Sequence, residues 1–215
     1  MKKGCAVVML LLLCPAFLYA GDTLSVMQRN LRNNSFGETF FDLLYRNPAE
    51  KYYQHALTLT EANAIVEYSA EDQPILLQEG DGLIRGSFDV DSYIVLKNRK
   101  LWGQAYYRNG VKRNVVWNET SDYDWVYPYV LGDSVGGDLR CEEYYFAGGY
   151  ARQTGRFTFG VDASYCANIE YRNADPRPKN LTGDLNVAVG VVTKLGASYV
   201  AGVSLRARKY KQTNE

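Results

Sequence analysis

The stretch "RFTFGVDASYCANIEYR", residues 156–172, alternates between apolar and polar side chains. From Phe157 to Tyr171 every second residue is apolar or aromatic, and the residues between them are mostly small, polar or charged. Successive side chains of a β-strand point to opposite faces of a sheet. The stretch therefore predicts one long strand, whose apolar face must contact either a second sheet or lipid.

The composition suits a β-rich protein. The chain has 215 residues and a formal net charge of zero, which gives no indication of nucleic-acid binding. It contains 19 glycines and 18 tyrosines, which are common in turns and in strands respectively. A secreted binding module would show the same profile, so composition leaves both membrane and soluble classes open.

The start of the chain predicts export. Two lysines precede an apolar run at residues 6–13, and Leu18-Tyr19-Ala20 resembles a cleavage site, so residues 1–20 are predicted to be a signal peptide. Lipidation at Cys14 is the alternative, which the bulky Leu13 disfavours. No other segment has the ~20 apolar residues of a membrane helix, so we expect any membrane insertion to use strands.

Residues 21–60 differ from the rest of the chain. Leu24, Met27 and Leu31 have helical spacing, and a proline interrupts the segment in "YRNPAEKYYQ". We interpret residues 21–60 as a periplasmic or plug-like pre-barrel segment with a short helix. A brief strand pair is predicted at 56–60 and 64–69.

Residues 61–215 predict the strands of an antiparallel barrel. The clearest strands are expected at 83–96, 101–108, 111–119, 138–153, 156–172, 181–194 and 199–211. Lengths well above the ~5 to 6 residues of soluble strands suit a tilted bilayer crossing of ~9 to 11 residues. A soluble β-sandwich remains the alternative, with the apolar face inside.

The predicted connections alternate between short and long. Asn109-Gly110 predicts a type I′ hairpin turn, Thr154-Gly155 a second tight turn and residues 194–198 a third. The connections at 119–137 and 173–180 are longer. This asymmetry is typical of outer-membrane barrels, which have short periplasmic turns and long outer loops.

A two-residue turn at Thr154-Gly155 gives a predicted register for the surrounding hairpin. It places apolar residues beside apolar residues on one face and polar residues together on the other. The expected neighbours are Tyr150 with Phe159, Gly148 with Val161, Phe146 with Ala163, Tyr144 with Tyr165, Ala147 with Asp162, Tyr145 with Ser164, and Glu143 with Cys166.

The polar face supplies candidate functional residues. In a barrel this face lines the lumen, so charged residues that share it are candidates for contact with a solute. The predicted lumen-facing residues are Glu143, Asp162, Glu170, Arg206 and Arg208.

Two predicted outer loops carry further candidates. The loop at 119–138 mixes acids with Tyr123, Trp125, Tyr127 and Tyr129, which would suit a plug, a sugar site or an adhesive surface. The loop at 173–180 contains two prolines together with Arg177 and Lys179, cations that could meet anionic lipid or lumen acids.

Two blocks, "PYVLGDSVGG" at 128–137 and "DPRPKN" at 175–180, resemble an uncharacterised outer-membrane β-barrel family of Gram-negative bacteria, a domain-of-unknown-function family. The similarity spans roughly residues 40–211 and implies a barrel in the cell outer membrane. Members of that family are longer chains, so this chain looks like the N-terminal part of such a barrel, and the barrel is expected to be incomplete in this chain. "RNPAE" at 46–50 is also similar to the NPA element of fatty-acid-transporter-like barrels, which implies transport of a hydrophobic substrate.

The sequence predicts no enzyme, no cofactor and no metal site. The single histidine, His55, lies outside the clear strands, where a structural role is commoner than catalysis. Glu142 and Glu143 are adjacent and must point to opposite faces. Cys141 and Cys166 are expected on the polar face at ~7 Å across the hairpin, where two thiols are favoured over a strained disulfide.

These patterns together predict a porin-like, non-enzymatic outer-membrane protein that conducts or transports an unidentified solute. Its expected partners are outer-membrane lipid and, during insertion, the barrel-assembly machinery, with no nucleic acid. The alternatives are a surface-exposed binding or adhesion barrel and a soluble secreted β-sandwich.

Overall fold

The structure is a computed structural model that describes residues 6–10, 25–28, 47–117, 134–174, 177–196 and 199–214. For residues 6–10 it describes the backbone only. The fold in these ranges is all-β. Its strands are β1 (Ala6–Leu10), β2 (Leu59–Ala70), β3 (Gly82–Val95), β4 (Arg99–Val115), β5 (Gly137–Thr154), β6 (Phe157–Tyr171), β7 (Lys179–Leu195) and β8 (Tyr199–Asn214).

The strands form one antiparallel sheet in which each strand pairs with its neighbours in the chain, in the order β1 to β8. The sheet is open across the described strands, since β1 and β8 do not pair with each other. Strands β3 to β8 have 14 to 18 residues each. The predicted all-β, antiparallel class is therefore confirmed, and the sheet consists of long consecutive hairpins.

Helix is nearly absent from the described residues. A 3₁₀-helix at Glu50–Tyr53 precedes β2, and residues 26–28 are helical. Ser25 and Gln28 form a reciprocal capping box, in which each backbone N–H donates to the other's side chain. No helix in the described ranges is long and apolar enough to cross a membrane.

The sheet exposes its apolar face and buries much of its polar face. On β6 the apolar positions from Phe157 to Tyr165 are exposed, whereas the alternate positions from Thr158 onward are buried or half-buried. Phe159 is 54% exposed, and Glu170 on the opposite face is 4% exposed. The alternation predicted from the sequence is confirmed, and the described residues place no second sheet over the apolar side.

The connections alternate in length along the sheet. Those at 96–98, 155–156 and 196–198 are short, and those at 71–81, 116–136 and 172–178 are long. Because consecutive strands are antiparallel, all three short connections lie at one end of the sheet and all three long ones at the other. We call these the short-connection end and the long-connection end.

Asn109-Gly110 does not form the predicted hairpin turn, because it lies within β4. The ladders from both sides continue through it: Asn109 pairs with Gly86 and Glu142, and Gly110 pairs with Arg85 and Cys141. The two predicted strands at 101–108 and 111–119 are therefore one strand. Gly110 is required by the close approach of β3, since a Cβ there would lie 2.9 Å from the Cβ of Arg85.

The predicted register of the β5–β6 hairpin is wrong by two residues. Thr154 pairs with Phe157, so the two-residue turn is Gly155-Arg156 and lies one residue later than predicted. Gly155 takes a φ of 60°, a left-handed conformation that glycine adopts without strain. The two-residue shift is even, so every side chain keeps its predicted face. The neighbours become Tyr150 with Val161, Gly148 with Ala163, Phe146 with Tyr165, Tyr144 with Ala167, Ala147 with Ser164, Tyr145 with Cys166, and Glu143 with Asn168.

The corrected register separates the two cysteines. Cys141 pairs with Glu170 and Cys166 with Tyr145, so the thiols are about four residues, or ~13 Å, apart along the strands. That exceeds the Cα separation of ~4.4 to 6.8 Å that a disulfide requires. Both cysteines are free, and the expected distance of ~7 Å is wrong.

The predicted strand pair at 56–60 and 64–69 is a single strand, β2, which pairs with β3 along its whole length. The ladder continues through residues 61–63, which pair with Asp91, Val90 and Asp89. Its other edge pairs with β1, from within the predicted signal peptide, over residues 64–68. An open strand edge readily accepts an extended apolar segment, so this pairing describes the uncleaved chain, and the signal peptide remains a prediction.

The register yields a direct test with engineered cysteines. In a background with Cys141→Ser and Cys166→Ser, Ala147→Cys with Ser164→Cys should form a disulfide under mild oxidation. These positions face each other, at ~4.5 to 5.5 Å between Cα atoms. Mass spectrometry of the tryptic peptides would detect the bond.

The matched control for that test is Ala147→Cys with Asp162→Cys, the pair that the sequence-derived register placed together. It should stay reduced, because diagonal neighbours lie ~7 to 8 Å apart. Preferential bonding of the control pair would contradict the pairing of Thr154 with Phe157.

Candidate functional site

A short segment, Asn47–His55, lies across the polar face at the short-connection end, and we call it the docked segment. It contains the 3₁₀-helix Glu50–Tyr53. Its contacts extend from β3, where Tyr93 donates to the Lys51 carbonyl at 2.6 Å, to β8, where Asn47 donates to the Val203 carbonyl at 3.3 Å. The segment therefore touches strands across most of the sheet.

These contacts require the sheet to curve toward its polar face. In a flat sheet β3 and β8 would be about 24 Å apart, at ~4.8 Å per strand. Asn47 and Lys51 are about 8 Å apart along turns of ~2 Å rise per residue. The tyrosine side chain that reaches Lys51 from β3 is too short to span the remaining distance of a flat sheet. The polar face is consequently concave around the docked segment.

Asn47 anchors the segment to β7 and β8. Its side-chain amide donates to the carbonyls of Val191 and Val203 at 3.4 and 3.3 Å, and its Oδ1 accepts from the Ala49 amide at 3.0 Å. Asparagine is suited to this position because its side chain can bond its own backbone two residues on. Asn47 is 6% exposed and Ala49 is fully buried.

Glycines on three adjacent strands make room for this anchor. Gly160 on β6 pairs directly with Gly190 on β7, and a Cβ at either would collide with Asn47, Pro48 or Ala49. At Gly202 on β8 a Cβ would lie 3.0 Å from the Asn47 amide nitrogen. The backbone of the docked segment thus rests directly on the backbone of the sheet.

Lysines and aromatic rings hold the remainder of the segment. Lys51 pairs with Asp162 at 3.3 Å and lies 5.4 Å from the Trp102 ring centroid. Lys100 donates to the His55 carbonyl at 2.6 Å and lies 5.0 Å from the centroid of Tyr52. Such cation–π contacts are worth about 0.5 to 2 kcal/mol each, depending on their exposure.

Two further contacts fix the tyrosine and histidine of the segment. Tyr53 shares a 2.7 Å hydrogen bond with Thr158, and Lys194 lies 5.2 Å from the Tyr53 ring centroid. His55 packs edge-on against Tyr93 at 4.7 Å between centroids. His55 is therefore part of the packing between the docked segment and β3.

The middle of the polar face carries an aromatic and charged cluster. Tyr106 stacks on Tyr145 at 4.7 Å and donates to Glu143 at 2.7 Å. Arg108 lies 3.9 Å from the Tyr106 centroid and pairs with Glu143 at 3.4 Å. Toward β8, Arg208 forms two hydrogen bonds with Asp184, at 2.9 and 2.7 Å.

The polar face nearer the long-connection end is also closely packed. Glu170 accepts from Lys112 at 3.0 Å and from the Cys141 thiol at 3.5 Å. Arg172 is 3% exposed and donates to the Val115 carbonyl at 3.0 Å. These buried charges are all bonded, as burial of a charge requires.

The predicted lumen-facing residues all lie on the polar face, and most have an ion-pair partner. Glu143 pairs with Arg108, Asp162 with Lys51, Glu170 with Lys112, and Arg208 with Asp184. Arg206 is exposed on the same face, opposite Ala188. Glu142 points to the other face, as predicted from its adjacency to Glu143.

Of the outer-loop candidates, the structure describes only Arg177 and Lys179. Tyr123, Trp125, Tyr127 and Tyr129 lie outside the described residues. Arg177 is an exposed residue of the connection before β7. Lys179, predicted in a loop, is the first residue of β7 and points to the apolar side.

Sequence reasoning missed the residues that receive the docked segment. The sequence analysis did not single out Tyr93, Lys100, Trp102 or Gly190. Lys100 immediately precedes the predicted strand 101–108 and Trp102 lies at its start, both on the polar face. The usable signal was a glycine at a polar-face position of three neighbouring strands, Gly160, Gly190 and Gly202, because a glycine inside a strand marks a close backbone approach. Within the described ranges, no group of three or more histidine, cysteine or acidic residues is arranged to hold a metal ion.

Comparison with protein families assigns the chain. The model of a family of unknown function (DUF6850) matches residues 49–215. The chain belongs to this family. The match begins at Ala49, inside the docked segment, and includes every strand from β2 to β8. Comparison with curated proteins and with solved structures finds no match.

The glycine contacts predict how this DUF6850 member responds to one added methyl group. Gly190→Ala should displace Asn47 from the sheet, because the new Cβ would collide with its Oδ1. Overpacking of this kind costs about 1 to 3 kcal/mol, so trypsin should cleave after Lys51 about 5- to 150-fold faster. Gel analysis of a digestion time course measures this.

Gly148→Ala is the matched control for that digestion. A Cβ there would have its nearest contact at 3.6 Å, from the Trp102 carbonyl, and would fit. Equal cleavage rates in both variants would contradict docking against Gly190.

Glu50 predicts a pH dependence of docking. Its burial raises the pKa of the Glu50 carboxyl, an effect partly offset by a hydrogen bond from the Asn47 backbone. A raised pKa in the docked state means that docking is strongest below the ordinary carboxyl pKa of about 4.3 and weakens as pH rises through the raised value. Glu50→Gln should remove this dependence and strengthen docking at pH 7. Hydrogen exchange of residues 47–55, corrected for intrinsic rates, measures both effects, and a wild-type profile that parallels the glutamine variant would refute them.

Proposed function

We propose that this chain supplies the strands of an outer-membrane β-barrel, non-enzymatic and without a cofactor, that conducts or transports an unidentified solute. The observation that carries the proposal is the inversion of the two faces. A soluble sandwich buries its apolar face, whereas here the apolar face is exposed and the docked segment covers one end of the polar face. A concave polar face and an uncovered apolar face are what a barrel presents to its lumen and to lipid.

The apolar surface has sharp limits on individual strands. On the apolar side of β5, Glu142 and Arg152 enclose a run of apolar residues and glycine. On β8, the corresponding run extends from Tyr199 at the strand start to Lys209. On β5 the two limiting charges are ten residues apart, or about 34 Å along the strand.

The two runs are offset along the sheet at the limit nearer the long-connection end. The ladders connect Glu142 to Thr213, yet the limiting charge on β8, Lys209, falls four residues before Thr213. A shift of four residues over three strand spacings corresponds to a strand tilt of about 43°. At that tilt the apolar run is about 25 Å tall, and barrels have tilts of ~35 to 45° and apolar bands of ~25 Å.

The sorted connections support the same placement. Outer-membrane barrels have short turns on the periplasmic side and long loops outside, so we place the short-connection end in the periplasm. The docked segment would then narrow the periplasmic mouth of the lumen. The ion pairs of the polar face would line the path of a solute, with Glu143, Asp162, Glu170, Arg206 and Arg208 among the residues that it meets. Outer-membrane lipid and the barrel-assembly machinery would be the partners.

A surface-binding barrel is the second candidate, favoured by apolar side chains at the long-connection end. Ile75 is 94% exposed and Val135 is 82% exposed, and both lie in long connections. Exposed apolar clusters beyond the sheet are suited to capture of a ligand or partner. This candidate shares the barrel and differs only in what the outer loops do.

Site-directed spin labels test the membrane placement. In liposomes, labels at Phe159, Val187 and Val203 should be accessible to oxygen and protected from a polar nickel complex, because their side chains would face lipid. Labels at Asn186 and Ser204, the neighbouring positions on the polar face, should show the reverse preference. Protein-buried labels at the first three sites, in a molecule that stays monodisperse without detergent, would instead establish a soluble sandwich.

Planar-bilayer recording tests transport against surface binding. Wild-type protein should give small, discrete conductance steps, and Gly190→Ala should enlarge them, since displacing the docked segment widens the periplasmic mouth. Gly148→Ala should match the wild type. If all three proteins insert intact and show no conductance, the channel function is refuted and the binding barrel is favoured.

A further inference from the structure

Two arginines face each other at the short-connection end of the apolar face. Arg99, the first residue of β4, pairs directly with Arg152 of β5. Both side chains are exposed. Directly opposed residues have Cβ atoms about 4.5 to 5.5 Å apart, and like charges at that distance are destabilising.

No carboxylate relieves this repulsion among the residues that the structure describes. The five ion pairs there all involve polar-face residues or the docked segment, and none of the side-chain hydrogen bonds includes Arg99 or Arg152. Across the described strand registers this is also the only pair of directly opposed cations. A bound anion would convert the repulsion into attraction.

The position of the pair indicates which anion. Arg152 marks the lower limit of the apolar run on β5, and the adjoining pair on the same face is Leu101 with Tyr150. Phe159 flanks Arg152 on its other side. Cations thus border apolar and aromatic side chains, at the level where the proposed barrel would meet the lipid headgroups.

We propose that Arg99 and Arg152 bind the phosphate of an anionic phospholipid in the leaflet at the short-connection end. This inference rests on the proposed membrane barrel and adds a lipid site to it. The two planar guanidinium groups can each donate two hydrogen bonds to phosphate oxygens, a geometry that lysine does not match. The acyl chains would lie along Leu101 and Tyr150, continuing the apolar surface.

Phosphatidylglycerol titrated into the detergent-solubilised full chain tests the site, with bound lipid counted by native mass spectrometry. A surface cation contributes about fivefold to binding of an anionic lipid, so Arg99→Gln with Arg152→Gln should weaken binding by roughly 25-fold. Arg99→Lys with Arg152→Lys should recover only part of the loss. Near-ultraviolet circular dichroism confirms that each variant is folded.

The matched control is Arg113→Gln with Lys209→Gln, which removes the same charge from β4 and β8 at positions that cannot reach one headgroup. It should leave phosphatidylglycerol binding within about twofold of the wild type. An equal loss in both double variants would mean nonspecific attraction and would overturn the site. Inorganic phosphate that competes as well as its lipid counterpart at equal concentration would assign the pair to free anions and overturn the lipid assignment.

The spin label at Val187, placed in the same preparations, separates this proposal from the one on which it rests. A lipid-exposed label together with unchanged phosphatidylglycerol binding in Arg99→Gln with Arg152→Gln overturns the phosphate site alone. A label buried against protein overturns the barrel and the lipid site together.

Discussion

The structure depends on one physical constraint: its exposed apolar face is unfavourable in contact with water. Burial of apolar surface is worth roughly 25 cal/mol per Å², and soluble monomers rarely expose large contiguous apolar areas. Strands β3 to β8 carry such a surface from one side to the other. The two-residue periodicity fixes which side it occupies, so a change of register by one residue would move every charge of the polar face into that surface.

Much of the polar face pairs its own charges, which stabilises the inverted arrangement. Glu170 and Arg172 are nearly inaccessible and hydrogen-bonded, and the charged residues of the middle cluster pair across adjacent strands. An unpaired buried charge would cost several kcal/mol. The paired arrangement lets a crowded polar face coexist with long, regular strands, whereas a soluble sandwich fills the space between its sheets with apolar side chains.

The sequence predicted the features that repeat along the chain, and it failed where contacts between distant residues decide. Period-two alternation located β3 and β5 to β8 and assigned their faces, because each residue carries that signal locally. Asn109-Gly110 has strong turn propensity. However, β4 pairs with β3 and β5 at this point, and a two-residue turn there would interrupt both ladders. The β5–β6 register was wrong because one residue of error in the turn moves the pairing by two. Local propensity could not show either outcome.

The docked segment illustrates the same limit for the candidate site. Its proline and aromatic residues indicate a break before the strands, yet its location depends on Gly160, Gly190 and Gly202, which are far away in sequence. A glycine inside a strand weakens it, because it adds no side-chain packing and has a large conformational freedom to lose. The three glycines are explained by the backbone of Asn47, Pro48 and Ala49, which packs directly against them. Because Lys51 reaches both β4 and β6, the segment also bridges strands that do not pair with each other. Docking and the curvature of the sheet are therefore mutually dependent: a flatter sheet would withdraw Tyr93 from Lys51, and an undocked segment would leave Asp162 and Thr158 on the polar face without their partners.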